Sequence, residues 1–514
     1  MKTKRINVCH TCRLRKLGCD GRHPSCSQCT LTGRHCDGYE RELVFVSYAT
    51  TKYKTRSRKS LLRGLPVALN KLIHSYGSDL AYKGSGMSNV LPLTGPYRAL
   101  ESRNSRTFNE FVSLIFNLFL PESEESLSLF DLSAISVCGA WVKILPRLGE
   151  GSYPGDLVHL AVRYLGNVVL NASMGVRNMD FGGFEVHDFI LKQLQNAVAA
   201  PKSFDTEIAA SILCLVMVEL MVPTSEFAFL SHLGGFAAFI ESCPPTMFKS
   251  DILHAIFVGC RPILFFQAIH SRRSTFLSKK EWRTTPFDLH SSSKMQALIS
   301  ETSILPSILE NLDSLPMLGG SSAILLAQKA KTDLVEVLRR LSNLEDCFGG
   351  DKIDSYYHTN GPEMYYLRLW FPNLLTANVH THIWAVRIVC LMELEALDVY
   401  LFNKMNGSGL KDNNALNKEV LGGWIIQLAT KICQSISYML QDQMKLYGPL
   451  SAVFPLNIAY NALRKYSMPD AEEVKLCKGL INDIIRKGIS IGMHFPIEDT
   501  LKHRKDFQDT PSFS

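Results

Sequence analysis

Residues 9–36 read CHTCRLRKLGCDGRHPSCSQCTLTGRHC and contain six of the 14 cysteines in a chain of 514 residues. The spacing is C-x2-C-x6-C-x6-C-x2-C-x6-C, so each cysteine of the first half recurs 17 positions later in the second half. Two tetrahedral zinc ions need eight ligand contacts, and six thiolates supply them only if two of the sulfurs bridge. The spacing therefore predicts a zinc site made from Cys9, Cys12, Cys19, Cys26, Cys29 and Cys36.

Four other interpretations of these cysteines stay open on spacing alone. A redox C-x-x-C site would need one pair in an α/β context, whereas this stretch has two pairs and two single cysteines. A mononuclear zinc finger could use His10, His23 or His35, but the helical H-x3–5-H spacing is missing. A metallothionein-like metal store would not need the neighbouring basic residues. The fourth interpretation is a zinc-stabilised knot with no role in DNA binding.

The cysteine stretch resembles the binuclear zinc cluster of fungal six-cysteine transcription factors, and it meets the family pattern at every cysteine. Pro24 also stands in the loop between the halves, where the family usually has a proline. The resemblance implies two zinc ions per chain, with Cys9 and Cys26 as the bridging pair. It further implies that one ion is completed by Cys12 and Cys19 and the other by Cys29 and Cys36.

Basic residues are concentrated around the cysteines. Residues 1–63 contain fifteen Lys and Arg against four Asp and Glu, whereas the rest of the chain contains 40 against 44. The formal net charge of +7 is thus the sum of a strongly basic head and a mildly acidic body. Such asymmetry indicates a polyanionic partner, and we expect double-stranded DNA. Three basic residues follow Cys12 but only one occupies the equivalent stretch of the second half, so the first half should face the DNA.

The resemblance also assigns roles to single basic residues. In the family, the short helix of the first half enters the major groove and reads a C·G-rich triplet with two consecutive basic residues, which match Arg15 and Lys16. Guanine presents O6 and N7 together, which suits a cationic donor. Arg13, Arg22 and Arg34 are expected to contact phosphates, which position the protein without specifying sequence. The alternative for each is a solvated surface charge.

Residues 37–63 predict a flexible basic linker after a cluster domain at residues 1–36. Residues 50–59 read TTKYKTRSRK, which has no apolar period and suits either a nuclear import signal or a solvated tether. No heptad coiled coil is visible, because Gly64 and Pro66 interrupt the nearby leucines. We therefore expect a nuclear protein that binds as a monomer or dimerises through its body.

Residues 64–514 predict an all-α body, because apolar residues recur there at helical spacing. We expect helices packed in pairs in an α-solenoid-like array. The body resembles the fungal-specific regulatory domain that follows such clusters, through weak motifs in matching order at 141–161, 205–219, 232–235, 276–286 and 454–459. The predicted helices are 105–119, 131–145, 155–173, 184–199, 205–222, 226–241, 249–271, 293–313, 320–346, 364–403, 416–443, 450–466 and 470–491.

Neither an enzyme nor a membrane protein is indicated by the sequence. The apolar runs fall short of the roughly 20 residues that a bilayer requires, and the N-terminus lacks the apolar region of a signal peptide. Phosphate-loop, G-x-S-x-G, D-D-x-x-D and H-E-x-x-H signatures are missing. His380 and His382 are predicted on a partly exposed helix without a shared metal, and His232 as a packed helix residue rather than a ligand. The eight scattered cysteines are predicted to be small core residues.

These patterns together predict a zinc-dependent, sequence-specific DNA-binding regulator of RNA polymerase II transcription. The transcription machinery or a coactivator is a further candidate partner. Residues 122–132 (ESEESLSLFDL) mix acids with Leu and Phe, which suits either an activation segment or a loop entering a helix. The alternative function is a ligand-sensing or protein-interaction helical scaffold whose basic head serves mainly for non-specific DNA localisation.

Overall fold

The computed structural model describes parts of the cysteine-rich head and most of the chain beyond residue 105. Within the described residues there are two compact units, one inside 1–44 and one inside 45–514. The predicted linker and the first 42 residues of the predicted body lie outside them. The described residues are 9, 11–12, 15, 17–20, 25–34, 36, 106–124, 137–149, 156–174, 186–194, 205–224, 228–249, 251–348, 357–360, 367–406 and 415–489.

The described part of the head has helical backbone at residues 11–12 and a short helix, α1 (Ser27–Leu31). The body is mostly helical, as predicted. Its helices are α2 (Phe108–Phe119), α3 (Leu145–Gly149), α4 (Leu157–Ser173), α5 (186–194), α6 (Thr206–Met221), α7 (Ala228–Glu241), α8 (Asp251–Ser271), α9 (Lys280–Thr284), α10 (Lys294–Thr302), α11 (Leu305–Ser314), α12 (Gly320–Cys347), α13 (Leu374–Asn406), α14 (Ala415–Met439), α15 (Tyr447–Tyr466) and α16 (Glu472–Arg486). Short 3-10 helices lie at Glu122–Glu124, Cys138–Ile144, Pro245–Lys249, Phe276–Ser278, Thr285–Phe287, Leu315–Met317 and Asp442–Met444.

Local capping sets where the body helices begin. Thr107 and Glu110 form a capping box at the start of α2, each side chain accepting a hydrogen bond from the other's backbone N–H. Asp205 accepts hydrogen bonds from the backbone N–H groups of Glu207 and Ile208 at 2.8 and 3.3 Å and so caps α6. These bonds satisfy donors that a helix start otherwise leaves unpaired.

The centre of the N-terminal half of the body is α6. Every residue from Ile208 to Met221 is buried, and the helix packs between α4 and α7. A helix that is apolar on all sides belongs in a core. One acid, Glu219, lies within this buried run.

Two predicted helices differ from the structure around prolines and turns. The predicted helix 293–313 is divided into α10 and α11, because Pro306 occupies the first turn of a new helix. The predicted helix 364–403 begins later, since β1 (Tyr357–Asn360) and β2 (Leu367–Trp370) form an antiparallel hairpin before α13. Asn373 then accepts a hydrogen bond from the backbone N–H of Thr376 at 2.9 Å, which caps α13.

The C-terminal half of the body is built from longer helices. The 33-residue α13 packs against α12, α14 and α15, and α16 packs against α15 and α14. Pro455 lies inside α15 without ending it. The buried apolar residues of both halves form one continuous core.

One helix in the described part of the chain, Ile252–Ser271 within α8, is long and apolar enough to cross a membrane by length and composition alone. The sequence analysis missed this run, which Arg261 and Pro262 interrupt. In the structure 67% of it is buried inside the body. The Arg261 guanidinium is fully buried and donates hydrogen bonds to Gln296 and Ser300. A cation buried in a core helix needs such hydrogen-bond partners.

Burial of single residues confirms some predictions and corrects others. Six of the eight body cysteines are buried, whereas Cys243 is half-buried and Cys347 is exposed. The predicted partial exposure of His380 and His382 is wrong, because both are buried in α13. His382 Nδ1 lies 2.7 Å from the carbonyl oxygen of Asn378, one turn earlier.

The acidic segment 122–132 is described only at its start. Glu124 is buried, accepts a hydrogen bond from the backbone N–H of Val137 at 2.9 Å, and pairs with Lys143 at 3.3 Å. The Glu124 carboxylate is therefore paired inside the body. Residues 125–132 lie outside the described residues, so their assignment stays a prediction.

Candidate metal centre

The two halves of the head repeat one backbone arrangement. In the first half, the N–H of Cys12 donates to Cys9 Sγ at 3.4 Å, and in the second the N–H of Cys29 donates to Cys26 Sγ at 3.3 Å. A second backbone hydrogen bond recurs in the same way. The N–H of Leu17 donates to the carbonyl oxygen of Cys12 at 3.0 Å, and the N–H of Arg34 donates to that of Cys29 at 2.9 Å. The structure therefore repeats every 17 residues, as the cysteine spacing predicts.

Four sulfurs converge at the centre of the head. The Sγ atom of Cys9 lies 3.6 Å from that of Cys26 and 3.8 Å from that of Cys29. The Sγ atom of Cys12 lies 3.7 and 3.8 Å from the same two sulfurs. All four side chains are buried. A zinc–sulfur bond of about 2.3 Å gives a tetrahedron edge of roughly 3.8 Å, so these spacings fit thiolate ligands of zinc.

The remaining two cysteines lie at the edge of this group and are half-buried. The Sγ atom of Cys19 accepts a hydrogen bond from the N–H of Cys9 at 3.4 Å and lies within 4.8 Å of Cys26 Sγ. Cys36 packs against the four central cysteines. All six predicted ligands are thus brought together, three from each half.

The donor set fits a cation rather than a purely apolar core. Burial raises the pKa of the Cys9, Cys12 and Cys29 thiols above the ordinary value. Buried thiols ionise only when a cation compensates them, and zinc ligands bind as thiolates. Bound zinc would cross-link the two halves. This short segment needs such a cross-link because its described apolar core consists of cysteines alone.

Asp20 is a residue of the head that the sequence analysis did not single out. Its Oδ1 accepts a hydrogen bond from the backbone N–H of Ser27 at 3.0 Å, which ties the end of the first half to the start of α1. It also lies within 4.8 Å of the Cys19 and Cys26 sulfurs. The sequence feature that could have identified Asp20 is its position directly after Cys19, ahead of a helix start.

Comparison with known proteins agrees with this geometry. Residues 7–43 match the fungal Zn(2)-Cys(6) binuclear cluster domain family. The head is a Zn(2)-Cys(6) cluster domain. The Aspercryptin biosynthesis cluster-specific transcription regulator atnN of Emericella nidulans is 54% identical over 33 residues, which make up 6% of this chain and 5% of that protein. The chain thus matches only about 5% of that relative's length. No solved structure matches the chain.

The basic residues predicted to contact DNA are only partly described in the cluster domain. Arg15 lies between Cys12 and Cys19, and Arg34 lies just after the left-handed Gly33 in the second half. Both side chains are exposed. Arg13, Lys16 and Arg22 lie outside the described residues. Thr32 stands at the repeat position of Arg15, so the halves match in backbone and differ in charge.

Proposed function

We propose that this protein is a zinc-dependent, sequence-specific DNA-binding regulator of RNA polymerase II transcription that acts in the nucleus. The observation that supports the proposal best is the cluster domain at residues 7–43, in which six cysteines converge and Arg15 is exposed beside them. The relative's printed description as a transcription regulator supports the same function.

In the proposed arrangement, two zinc ions are held by six thiolates, with Cys9 and Cys26 bridging. The 3.6 Å between these two sulfurs is compatible with a shared ion, as are the 3.7 and 3.8 Å of the neighbouring pairs, and the choice of bridging pair follows the family pattern. Arg15 and Lys16 read a CGG-type triplet in the major groove, since a cationic donor matches guanine O6 and N7. Arg13, Arg22 and Arg34 contact phosphates.

Two zinc ions with six thiolates carry a net charge of −2, so the cluster itself repels DNA. The basic side chains have to reverse this charge. The first half contains Arg13, Arg15 and Lys16 between its cysteines, whereas the second half contains only Arg34 in the equivalent stretch. We therefore assign the DNA-facing surface to the first half.

The body has a regulatory role in this proposal. The cluster domain spans residues 1–36, a basic linker spans 37–63, and a helical regulatory domain in an α-solenoid-like array spans 64–514. The body is not an enzyme and offers surfaces for the transcription machinery, for a coactivator, or for dimerisation. The helical content of residues 106–489 supports a scaffold of this kind.

The deciding experiment is a salt titration of DNA binding by the full-length, zinc-loaded protein. Fluorescence anisotropy compares a duplex that carries CGG triplets with a scrambled duplex of equal composition. Specific binding at physiological salt should be about 10³-fold or more tighter than binding to scrambled DNA. Equal affinities would contradict the proposal and would favour a scaffold that uses its head for non-specific localisation.

A further inference from the structure

A second group of metal-ligating side chains lies inside the body, in a part of the chain to which the cluster domain does not extend. It consists of His187 in α5, Glu219 in α6 and His232 in α7. All three residues are buried, at 4%, 0% and 1% exposure. Three successive helices therefore each place one potential ligand at a single interior point.

The distances within this group match a coordination sphere. The Nε2 atom of His187 lies 3.5 Å from Oε1 of Glu219, and the Nε2 atom of His232 lies 3.8 Å from the same oxygen. The ligand atoms of all three residues lie within 4.8 Å of one another. Zinc–nitrogen and zinc–oxygen bonds of about 2.0–2.2 Å give a tetrahedron edge of roughly 3.4 Å. The two nitrogen–oxygen distances, 3.5 and 3.8 Å, lie close to this value.

The carboxylate is held in place by a neighbouring residue. The backbone N–H of Thr224 donates to Oε2 of Glu219 at 2.8 Å, and the Thr224 hydroxyl donates to Oε1 at 2.6 Å. Metal-ligating carboxylates are commonly oriented by such hydrogen bonds from outside the coordination sphere. Tyr164 of α4 also lies beside these side chains, with its ring centroid 5.8 Å from that of His187.

The charge state of the group suits a divalent cation. The Glu219 carboxylate faces the imidazoles of these two histidines. Burial lowers the pKa of His187 to about 3 and that of His232 to about 4, so both imidazoles are neutral at pH 7 and retain a lone pair. Burial also raises the pKa of Glu219 to about 7, which reflects the cost of a buried carboxylate without a cation.

We propose that His187, Glu219 and His232 bind one Zn²⁺ ion that ties α5, α6 and α7 together. Two imidazoles and one carboxylate are a known ligand set for zinc, with water in the fourth position. The ion stabilises the body and is separate from the thiolate cluster of the head. The predicted packing of His232 is confirmed by its 1% exposure, whereas this proposal differs from the prediction that the side chain is not a ligand.

The experiment measures zinc in the full-length protein by elemental analysis after removal of loosely bound metal. Glu219→Gln keeps the size of the side chain, and His232→Gln removes an imidazole; each should lower the zinc content by one equivalent per chain. His382→Gln is the matched control, because it removes a buried histidine that contacts a backbone carbonyl. Circular dichroism checks that each variant keeps its helices.

X-ray absorption at the zinc edge of the unmodified protein gives a second test that does not depend on how a variant folds. The cluster domain supplies sulfur ligands only, so the body site should appear as a separate shell of nitrogen and oxygen at about 2.0–2.1 Å. A spectrum with sulfur neighbours alone, or an equal zinc content in wild type and both variants, would overturn the proposal.

Discussion

At the scale of single residues, Cys26 has two roles in the head. Its side chain caps α1 by accepting a hydrogen bond from the N–H of Cys29, and its sulfur lies 3.6 Å from that of Cys9. Cys9 has the equivalent place in the first half, where its sulfur accepts a hydrogen bond from the N–H of Cys12. Loss of this side chain should therefore be more damaging than loss of any ordinary cap.

Cys26→Ala should unfold the cluster domain, because structural zinc contributes on the order of 10 kcal/mol to the folding of such small domains. Zinc content and binding to the CGG duplex should both fall to background levels. Cys347→Ala, at an exposed cysteine of the body, is the control and should change neither. Retention of full zinc content and DNA binding in Cys26→Ala would contradict the proposed bridge.

Arg15→Ala should weaken binding to the CGG duplex by about 1–3 kcal/mol, since a bidentate contact to guanine is lost, and should have little effect on scrambled DNA. Arg34→Ala is the matched variant at an exposed position of the other half. It should weaken binding to both duplexes similarly and reduce the salt dependence by about one phosphate contact. Uniform weakening by Arg15→Ala would reassign that residue to the DNA backbone.

Residue-level prediction from sequence succeeded where ligands lie close together along the chain. The cysteine spacing predicted which six side chains come together in the head, because C-x2-C geometry is set by a local turn, and their role as zinc ligands stays a prediction. His187, Glu219 and His232 could not be grouped in this way. They meet only because α5, α6 and α7 pack together, and the 3.6-residue period of each helix says nothing about which helices become neighbours.

At the scale of elements, α16 shows how one backbone position can fix the packing of a helix end. Gly488 follows α16 with a positive φ of 92°. A Cβ atom there would lie 2.8 Å from the carbonyl oxygen of Ala172, in α4. Backbone from the C-terminal part of the body thus lies directly against the end of α4, at a distance that only glycine allows.

Gly488→Ala should lower the free energy of unfolding of the body by about 1–3 kcal/mol, because it combines a strained φ with a backbone clash. Gly479→Ala is the matched control inside α16, where nothing lies within 4 Å of the added methyl group. It should raise stability by up to about 1 kcal/mol, since alanine is the better helix former. Chemical denaturation followed by circular dichroism measures both, and a neutral Gly488→Ala would show that the helix end can shift away.

Most body helices were predicted from the periodicity of their apolar residues, and the errors have local causes. The hairpin of β1 and β2 lies in a stretch whose apolar residues also fit a helix, so tertiary pairing decided its structure. The missed apolar run of α8 contains Arg261, a buried side chain whose hydrogen bonds to Gln296 and Ser300 offset the cost of its burial. Such partners cannot be read from the sequence before the fold is known.

At the scale of the whole molecule, the two units use different means of stability. The described core of the head consists of cysteines, whereas the body buries a continuous set of apolar side chains from α2 to α16. A short segment without an apolar core depends on metal, and a large helical unit does not. The chain should therefore respond to metal removal in two separate ways.

Treatment of the full-length protein with a strong chelator should abolish binding to the CGG duplex and leave most of the far-ultraviolet helical signal at 25 °C. The proposed zinc ion in the body would add a fall in the thermal midpoint without loss of helix at that temperature. Restored zinc should restore DNA binding. Loss of the helical signal in parallel with the first zinc equivalents would instead mean that head and body fold as one unit.

In the head, the groups that form the repeated hydrogen bonds differ from the side chains that we propose to contact DNA. The sulfurs and backbone groups form the same hydrogen bonds in both halves, whereas the side chains at equivalent positions differ, as the exposed Arg15 and Thr32 show. Substitutions of exposed side chains can therefore change the surface that contacts DNA while the cysteine framework stays intact. New DNA targets then require substitutions at exposed positions such as Arg15, which none of these repeated bonds involves.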